Sequence, residues 1–483
     1  MEIGRLRVMR LVKAFCLLWL FSTIAICAAQ KQSTETPFPD TPAGHQCAAW
    51  LENFNRGDQD AYNDFLEKNY PSQAESFTHY ADFRRMTGGF DFKRVEESTP
   101  TKLTVLMQER QSDQMVRLVL EVEAAEPHHI TNLDLNAIPR PAEFALPHLS
   151  QSELIAVAKK NADQEAAADR FAGSLLIAKD GKPIFAEAYG LADREHKIPN
   201  TLKTRFRIGS MNKMFTAVSI LQLAQAGKLD LTDPVGKYLT DYPNKDVATK
   251  VTIHQLLTHT GGTGDFFGPE FDAHRQELKA LQDYIKLFGN RAPKFEPGSK
   301  FDYSNYGFLM LGVIVERVSG QSYYDYVRDH IYKPAGMTST DSEPEEKAVA
   351  DRSVGYTKMD STEWKTNVDT LPYRGTSAGG GYSTVEDLAK FADALLGNKL
   401  LNAHFTELLT TGKPGTPDNS YAYGFGVRTI NGTRCFGHGG GAPGMNGELE
   451  ICPSVGYEVA VLANLDPPAA TRLSQFITNR LPQ

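Results

Sequence analysis

Cysteine is scarce. There are five in 483 residues, and none has the spacing that holds a metal. That excludes a disulfide-dense scaffold and a zinc ribbon alike. Long apolar runs are scarce too: beyond the first 29 residues, no stretch reaches the roughly 20 apolar residues a membrane helix needs. Basic charge is in the minority, with 51 Lys and Arg against 59 Asp and Glu, net −8. No basic arm or stripe interrupts that balance, which argues against a nucleic-acid partner. Internal repeats and low-complexity tracts are absent. What remains is 41% hydrophobic and 23% charged, the composition of a globular chain long enough for two domains.

The first residues stand apart. Arg5, Arg7, Arg10 and Lys13 precede the apolar run "AFCLLWLFSTIAIC", and small residues follow in "CAAQ". Charge, a short apolar run and a small-residue exit read as a secretory signal over 1–29, cut after Ala29. The run is short for a membrane anchor. Ile26, just before Cys27, is too large for a lipoprotein signal. The reading implies an exported protein, periplasmic or secreted, with no membrane span after cleavage. Loss of four basic residues and Glu2 would take the net charge from −8 to about −11. Cys47, Cys435 and Cys452 remain. Cys435 and Cys452 flank one loop and could pair across adjacent strands in an oxidising compartment.

Residues 30–42 are polar and Pro-rich, a flexible leader. From 43 the pattern is helical ("CAAWLENF", "AYNDFLEKNY"); it then alternates like strands with one buried face ("TKLTVLMQE", "QMVRLVLEVE", "ITNLDLNAI"). Helices followed by an antiparallel sheet make a small α+β domain over 43–138, which resembles the NTF2-like fold in element order. His128 and His129 read as a solvated turn. A Pro-punctuated linker, 139–150, leads to Ser150 and Glu153, a capping box. "AGSLLIAKDGKPIFAEAYG" reads as a hairpin turning at Asp180-Gly181. A helical stretch over 200–410 follows. Strands return around an Asn431-Gly432 turn, and a last helix closes the chain. Strands at both ends with helices between predict one antiparallel sheet built from both termini, flanked by terminal helices and interrupted by a helical insertion.

Three short stretches carry chemistry. In "RIGSMNKMFTA", Ser210 precedes Lys213 by one helical turn, on the same side. Serine is also a common helix cap, and the pair alone is weak. Its setting strengthens it, because Met214, Phe215, Val218 and Leu221 recur at helical spacing and bury that helix. The helix N-terminus disfavours a nearby ammonium, and burial lowers a lysine pKa further. A neutral amine could then activate the serine hydroxyl, a poor nucleophile on its own. In "PGSKFDYSNYGF", Tyr303 can shuttle a proton if nearby cations favour its phenolate, and Asn305 can donate to a substrate carbonyl. In "CFGHGGGAPG", the glycines after His438 allow close backbone approach, and an exposed strand edge can bind an extended ligand.

Ser-x-x-Lys, Tyr-Ser-Asn and His-Gly-Gly, in this order, resemble the signature elements of the class C β-lactamase group, which includes penicillin-binding DD-peptidases, D-aminopeptidases and related esterases. "LTDPVGKYL", "VTIHQLLTHTGG", "EPGSKFDYSNYGFLMLG" and "YSTVEDLAKFADALL" agree with it. The resemblance covers residues 151–483. It implies an α+β, β-lactamase-like fold and an acyl-enzyme on Ser210, with Lys213 and Tyr303 sharing the proton traffic. Backbone N–H groups of Ser210 and Gly441 would form the oxyanion hole. Asn305, Gly439 and Gly440 would hold the substrate, and His438 would face its far end. No metal or cofactor is implied. His438 is a departure, because class C β-lactamases carry Lys there; a histidine is mostly neutral at pH 7. That favours a DD-peptidase, D-aminopeptidase or esterase over a true β-lactamase. The substrate would be a small molecule or peptide, cell-wall derived in the peptidase case. The alternative is a catalytically idle penicillin-binding relative that binds peptide or cell wall.

A competing serine exists. Gly375-Thr376-Ser377-Ala378-Gly379 fits the G-x-S-x-G elbow, and residues 438–441 fit an HGGG oxyanion motif. "DTLPYRG" before it is a poor strand, glycines delay the following helix, and HGGG follows the elbow instead of preceding it. The expectation is that Ser377 and its glycines line the cleft. His254 and His259 are five apart, which does not make an i, i+4 zinc face; capping and core roles are expected.

Overall fold

The computed structural model describes residues 37–73, 80–359 and 363–483. The secretory signal expected over 1–29 lies outside them, as does most of the expected leader. Residues 37–42 are held in place: the Phe38 ring meets Phe92 at 4.9 Å, and Thr41 caps the helix Pro42–Arg56, its Oγ1 accepting from Gly44 N at 3.1 Å. Two further helices, Gln59–Asn69 and Tyr80–Thr87, precede a four-stranded antiparallel meander. Its inward residues alternate, and Leu103, Val105, Met107 and Leu118 bury against Trp50, Phe54 and Phe90. The His128 and His129 side chains bond back to Glu123 within their own turn.

The larger unit is built on a six-stranded antiparallel sheet. Its order is Gly426–Ile430, Thr433–Ala442, Met445–Cys452, Tyr457–Ala463, Gly173–Lys179, Lys182–Tyr189. The C-terminal strands and the N-terminal hairpin therefore share one sheet. Both hairpin turns have the positive φ values their Asx-Gly pairs favour: Asp180 51°, Gly181 73°, Asn431 45° and Gly432 82°. Period-2 alternation divides the sheet into two faces. Leu175, Ile177, Val459 and Val461 pack under the terminal helices Gln151–Ala167 and Ala469–Thr478, against Leu154 and Leu473. Leu176, Ala178, Leu449, Ile451 and Leu462 face the helical insertion, against Met214, Phe215 and Phe391. Ser150 and Glu153 form the capping box at the first of these helices.

Cys435 stands directly opposite Cys452 on neighbouring strands, and the two form a disulfide with Cα atoms 4.2 Å apart. Cys47 is free and buried. The small unit is tied to the C-terminal segment: Arg472 of the last helix donates to the Met86 carbonyl, and Arg480 Nη1, just past that helix, meets Asp113 Oδ2 at 2.5 Å. Among the described residues, no helix is long and apolar enough to cross a membrane, and no group of His, Cys, Asp and Glu could hold a metal.

Candidate active site

Ser210 sits in a single 3-10 turn, Gly209–Met211, that runs into the helix Asn212–Gln225. Two backbone segments clamp this turn. Ile208 N donates to Gly381 O at 2.8 Å and Gly380 N to Gly209 O at 3.2 Å. On the other side runs the strand Thr433–Ala442. A Cβ on Gly440 would lie 1.9 Å from Ile208 O and 3.0 Å from Ser210 N, so only glycine fits. That approach brings Gly441 beside the turn: a Cβ on Gly209, itself at φ +50°, would lie 3.0 Å from Gly441 N.

The Asn212–Gln225 helix is buried along nearly its whole length, and it takes Lys213 down with it to 0% exposure. The amine makes three contacts: Ala378 O at 2.6 Å, Asn305 Oδ1 at 2.7 Å and Ser210 Oγ at 3.1 Å. The first two are obligate acceptors, since Asn305 turns its Nδ2 to Asp265 Oδ2 at 2.7 Å and so presents its oxygen to the lysine. A neutral amine has two hydrogens and one lone pair. The hydrogens go to Ala378 and Asn305, and the lone pair faces the serine hydroxyl. Burial lowers the Lys213 pKa to about 7, with the Asp265 charge partly opposing it. Sequence composition and spacing predicted the helix, the burial and the neutral amine; the structure adds the two acceptors that orient it.

Tyr303 lies beside the pair. Lys213 Nζ is 4.8 Å from the centre of its ring. The ring is 36% exposed to the cleft, while its hydroxyl end turns inward to Ser210. Burial raises the phenol pKa, and the Ser210 hydrogen bond only partly offsets this. Tyr303 is therefore a protonated phenol at neutral pH. The condition for a phenolate, a nearby cation that outweighs burial, is not met: desolvation by burial dominates at this hydroxyl.

Ser210, Tyr303, Asn305 and Gly441 open on one cleft of about 720 Å³. Phe266, Phe267, Phe271 and Tyr284 form an aromatic wall, and Leu371 and Pro372 add to the apolar lining. The rest of the expected set lies elsewhere. His438 and Gly439 line a second hollow of about 300 Å³, which shares Tyr303 with the first. Gly440 spaces the strand against the nucleophile turn.

The profile of the Beta-lactamase family matches residues 158–481. The chain belongs to the Beta-lactamase family. It is 29% identical over 317 residues to Protein flp of Staphylococcus aureus (strain MW2), a match that covers 64% of this chain and 62% of that one. It thus spans less than two thirds of this curated relative's length. The crystal structure of a penicillin binding protein from Bacillus halodurans superposes with TM-score 0.60 at 35% identity, over 65% of this chain and 97% of that one. A D-stereospecific amidohydrolase from Streptomyces sp. gives TM-score 0.57 at 28% identity, over 66% and 96%. Membership of the Beta-lactamase family and these neighbours support a serine hydrolase.

Two readings made from the sequence change in this family frame. Ser377 does not line the cleft. It is 0% exposed, its Oγ reaches only Leu309 O at 3.5 Å, and a Cβ on Gly312 would come within 2.3 Å of that oxygen. Its neighbours Thr376, Ala378, Gly379 and Gly380 line the cleft instead. A buried hydroxyl with no base beside it is no nucleophile, which removes the elbow. His438, in turn, does not offer a free imidazole to a ligand: its Nε2 meets Tyr421 OH at 3.1 Å and its Nδ1 meets the Gly439 carbonyl. Burial, with the nearby Lys213 charge, lowers its pKa to about 3.

Sequence reasoning missed Asp265, Tyr421 and the part played by His259. His259 Nδ1 accepts from Ser304 N at 3.0 Å, its Nε2 meets Tyr421 OH at 3.0 Å, and its ring lies 4.3 Å from that of Tyr303. His254 bonds to Tyr423 OH at 2.8 Å. The "THTGG" stretch drew notice as part of the family resemblance and as a failed metal pattern; nothing local pointed to a tyrosine 162 residues away.

Proposed function

We propose that the protein is an exported serine acyl hydrolase that opens an amide or ester carbonyl through an acyl-enzyme on Ser210. The observation that carries this is the three-way commitment of Lys213, which leaves its lone pair facing Ser210 Oγ. Lys213 takes the hydroxyl proton as the oxygen attacks the carbonyl carbon. The carbonyl oxygen, now an oxyanion, lies between the N–H groups of Ser210 and Gly441; each such donor is typically worth on the order of 10²–10³ in rate. Tyr303, held protonated, gives its proton to the leaving nitrogen or oxygen and recovers one from the lysine ammonium. Water then reverses the sequence. In this scheme Lys213 is the base and Tyr303 the acid.

Action on D-amino-acid peptides, amides or esters is supported by the penicillin binding protein and the D-stereospecific amidohydrolase among its relatives, and a true β-lactamase is disfavoured by His438. Export is supported by the charged and apolar N-terminus and by a disulfide, which persists in oxidising compartments. A fluorophosphonate probe read by intact mass tests the chemistry. One adduct is expected on wild type and on Ser377→Ala, and none on Ser210→Ala. An adduct that survives Ser210→Ala sinks the assignment; no adduct on wild type would favour the idle binder.

A further inference from the structure

The hydrogen bonds around His438 run in one direction only. Ser304 N–H points at His259 Nδ1, 3.0 Å away, so that nitrogen carries the lone pair and His259 Nε2 carries the hydrogen. His259 Nε2–H then donates to the Tyr421 oxygen at 3.0 Å. The single Tyr421 hydrogen goes to His438 Nε2 at 3.1 Å. His438 Nδ1–H donates to the Gly439 carbonyl. Every N–H and O–H hydrogen in the chain is used, and so is the lone pair of each imidazole. A proton added to His438 would aim two N–H groups at one phenol oxygen and strand the Tyr421 hydrogen in a buried place, a costly arrangement. Lys213 when it carries a proton, and Arg428 at every pH, oppose that proton as well.

The remaining lining of the hollow adds no free cation. Ser420, Tyr421, Gly426, Val427, Gly437 and Gly439 are uncharged. Arg428 is answered within the sheet by Glu448 at 2.6 Å and Glu450 at 2.5 Å. Tyr303 is the wall shared by this hollow and the cleft. A leaving atom must lie within reach of its proton donor, and the larger aromatic-walled cleft is the better host for the acyl half.

We propose that the hollow lined by His438 and Tyr421 receives the departing half of the substrate and selects an uncharged group, an alcohol, an amide or a capped amino acid, over one that ends in a free carboxylate. The inference rests on the acyl-enzyme reading above. His438 acts as a specificity residue by being saturated, and Tyr421 and His259 are positioning residues that keep it so.

Two esters with one acyl group test it: phenylacetyl glycolamide and phenylacetyl glycolate, which differ only in a neutral or anionic end. The glycolamide ester is expected to have a kcat/KM at least about tenfold higher, because a carboxylate desolvated without a partner is penalised. The ratio should show no gain for the glycolate ester as pH falls through about 6, where a free imidazole would take a proton, since His438 stays neutral there; Lys213, which titrates near pH 7, serves the acylation of both esters alike. His438→Lys should erase or reverse the preference. Tyr421→Phe removes the hydrogen that saturates Nε2 and should shift the preference toward the glycolate ester as pH is lowered, while a merely structural defect would lower both esters alike. Equal rates, a faster glycolate ester, or no turnover of the glycolamide ester overturn the proposal. Fluorophosphonate labelling of Ser210 in the same sample shows whether the serine-hydrolase reading survives that failure.

Discussion

Replacing Lys213 by Met separates chemistry from stability. The methionine fills the same space without a charge. In wild type the amine has a folded-state pKa of about 7 against about 10.4 in an unfolded chain. Between those values the unfolded state binds more protons than the folded one, so stability rises with pH across that window. The full cost of the buried amine, on the order of 5 kcal/mol, is reached at and below pH 7. From about pH 7 to about pH 9.5 wild type should regain about 3 kcal/mol from this one group. Lys213→Met lacks that gain. It also strands the Asn305 and Ala378 oxygens, at about 1–3 kcal/mol each, but that loss does not vary with pH. Urea unfolding of both proteins at the two pH values gives the double difference directly, and other titrating groups cancel. Acylation of the variant should fall by about 10²–10⁴. If both proteins gained equal stability with pH, the buried neutral amine would be refuted, whatever the activity data showed.

Other expectations are simpler. The acylation rate of wild type should rise with pH through about 7, because below that value Lys213 carries a proton where its lone pair is needed; a pH–rate profile with no inflection near there argues for a different base. Gly440→Ala should cut acylation by about 10² or more while the small unit stays folded, since its Cβ would lie 1.9 Å from Ile208 O; near-normal labelling of Ser210 would mean the strand can retreat. Cys435→Ser paired with Cys452→Ser should lower unfolding stability by about 3 kcal/mol, the value expected for closing a loop of this length; urea titration checks it.

Much of this protein was readable where the physics is local. Ser210 and Lys213 are one turn apart, and the apolar spacing of Met214, Phe215 and Val218 announced the burial that neutralises the lysine. Asp180-Gly181 and Asn431-Gly432 named their turns because few residues tolerate positive φ. What stayed hidden depends on meetings across the fold. Asp265 matters only because it turns the Asn305 amide. Tyr421 matters because it stands between two histidines that the chain separates widely. Ser377 looked like a nucleophile by its glycines, yet those glycines let the backbone crowd Ser210, and the serine itself is pressed onto Gly312. From sequence the protonation of Tyr303 stays conditional on nearby cations, because its hydroxyl is desolvated by neighbours that no window of sequence contains.

The bond between Cys435 and Cys452 turns the glycine-rich ribbon into a covalent hoop. Glycine-laden backbone loses the most entropy on ordering, and the hoop removes part of that loss before folding begins. Molecules made on the reducing side of a membrane would hold Gly441 more slackly against Ser210, and oxidation would tighten it. If the chain is exported as proposed, passage into an oxidising compartment becomes the moment when the nucleophile turn gains its firmest support.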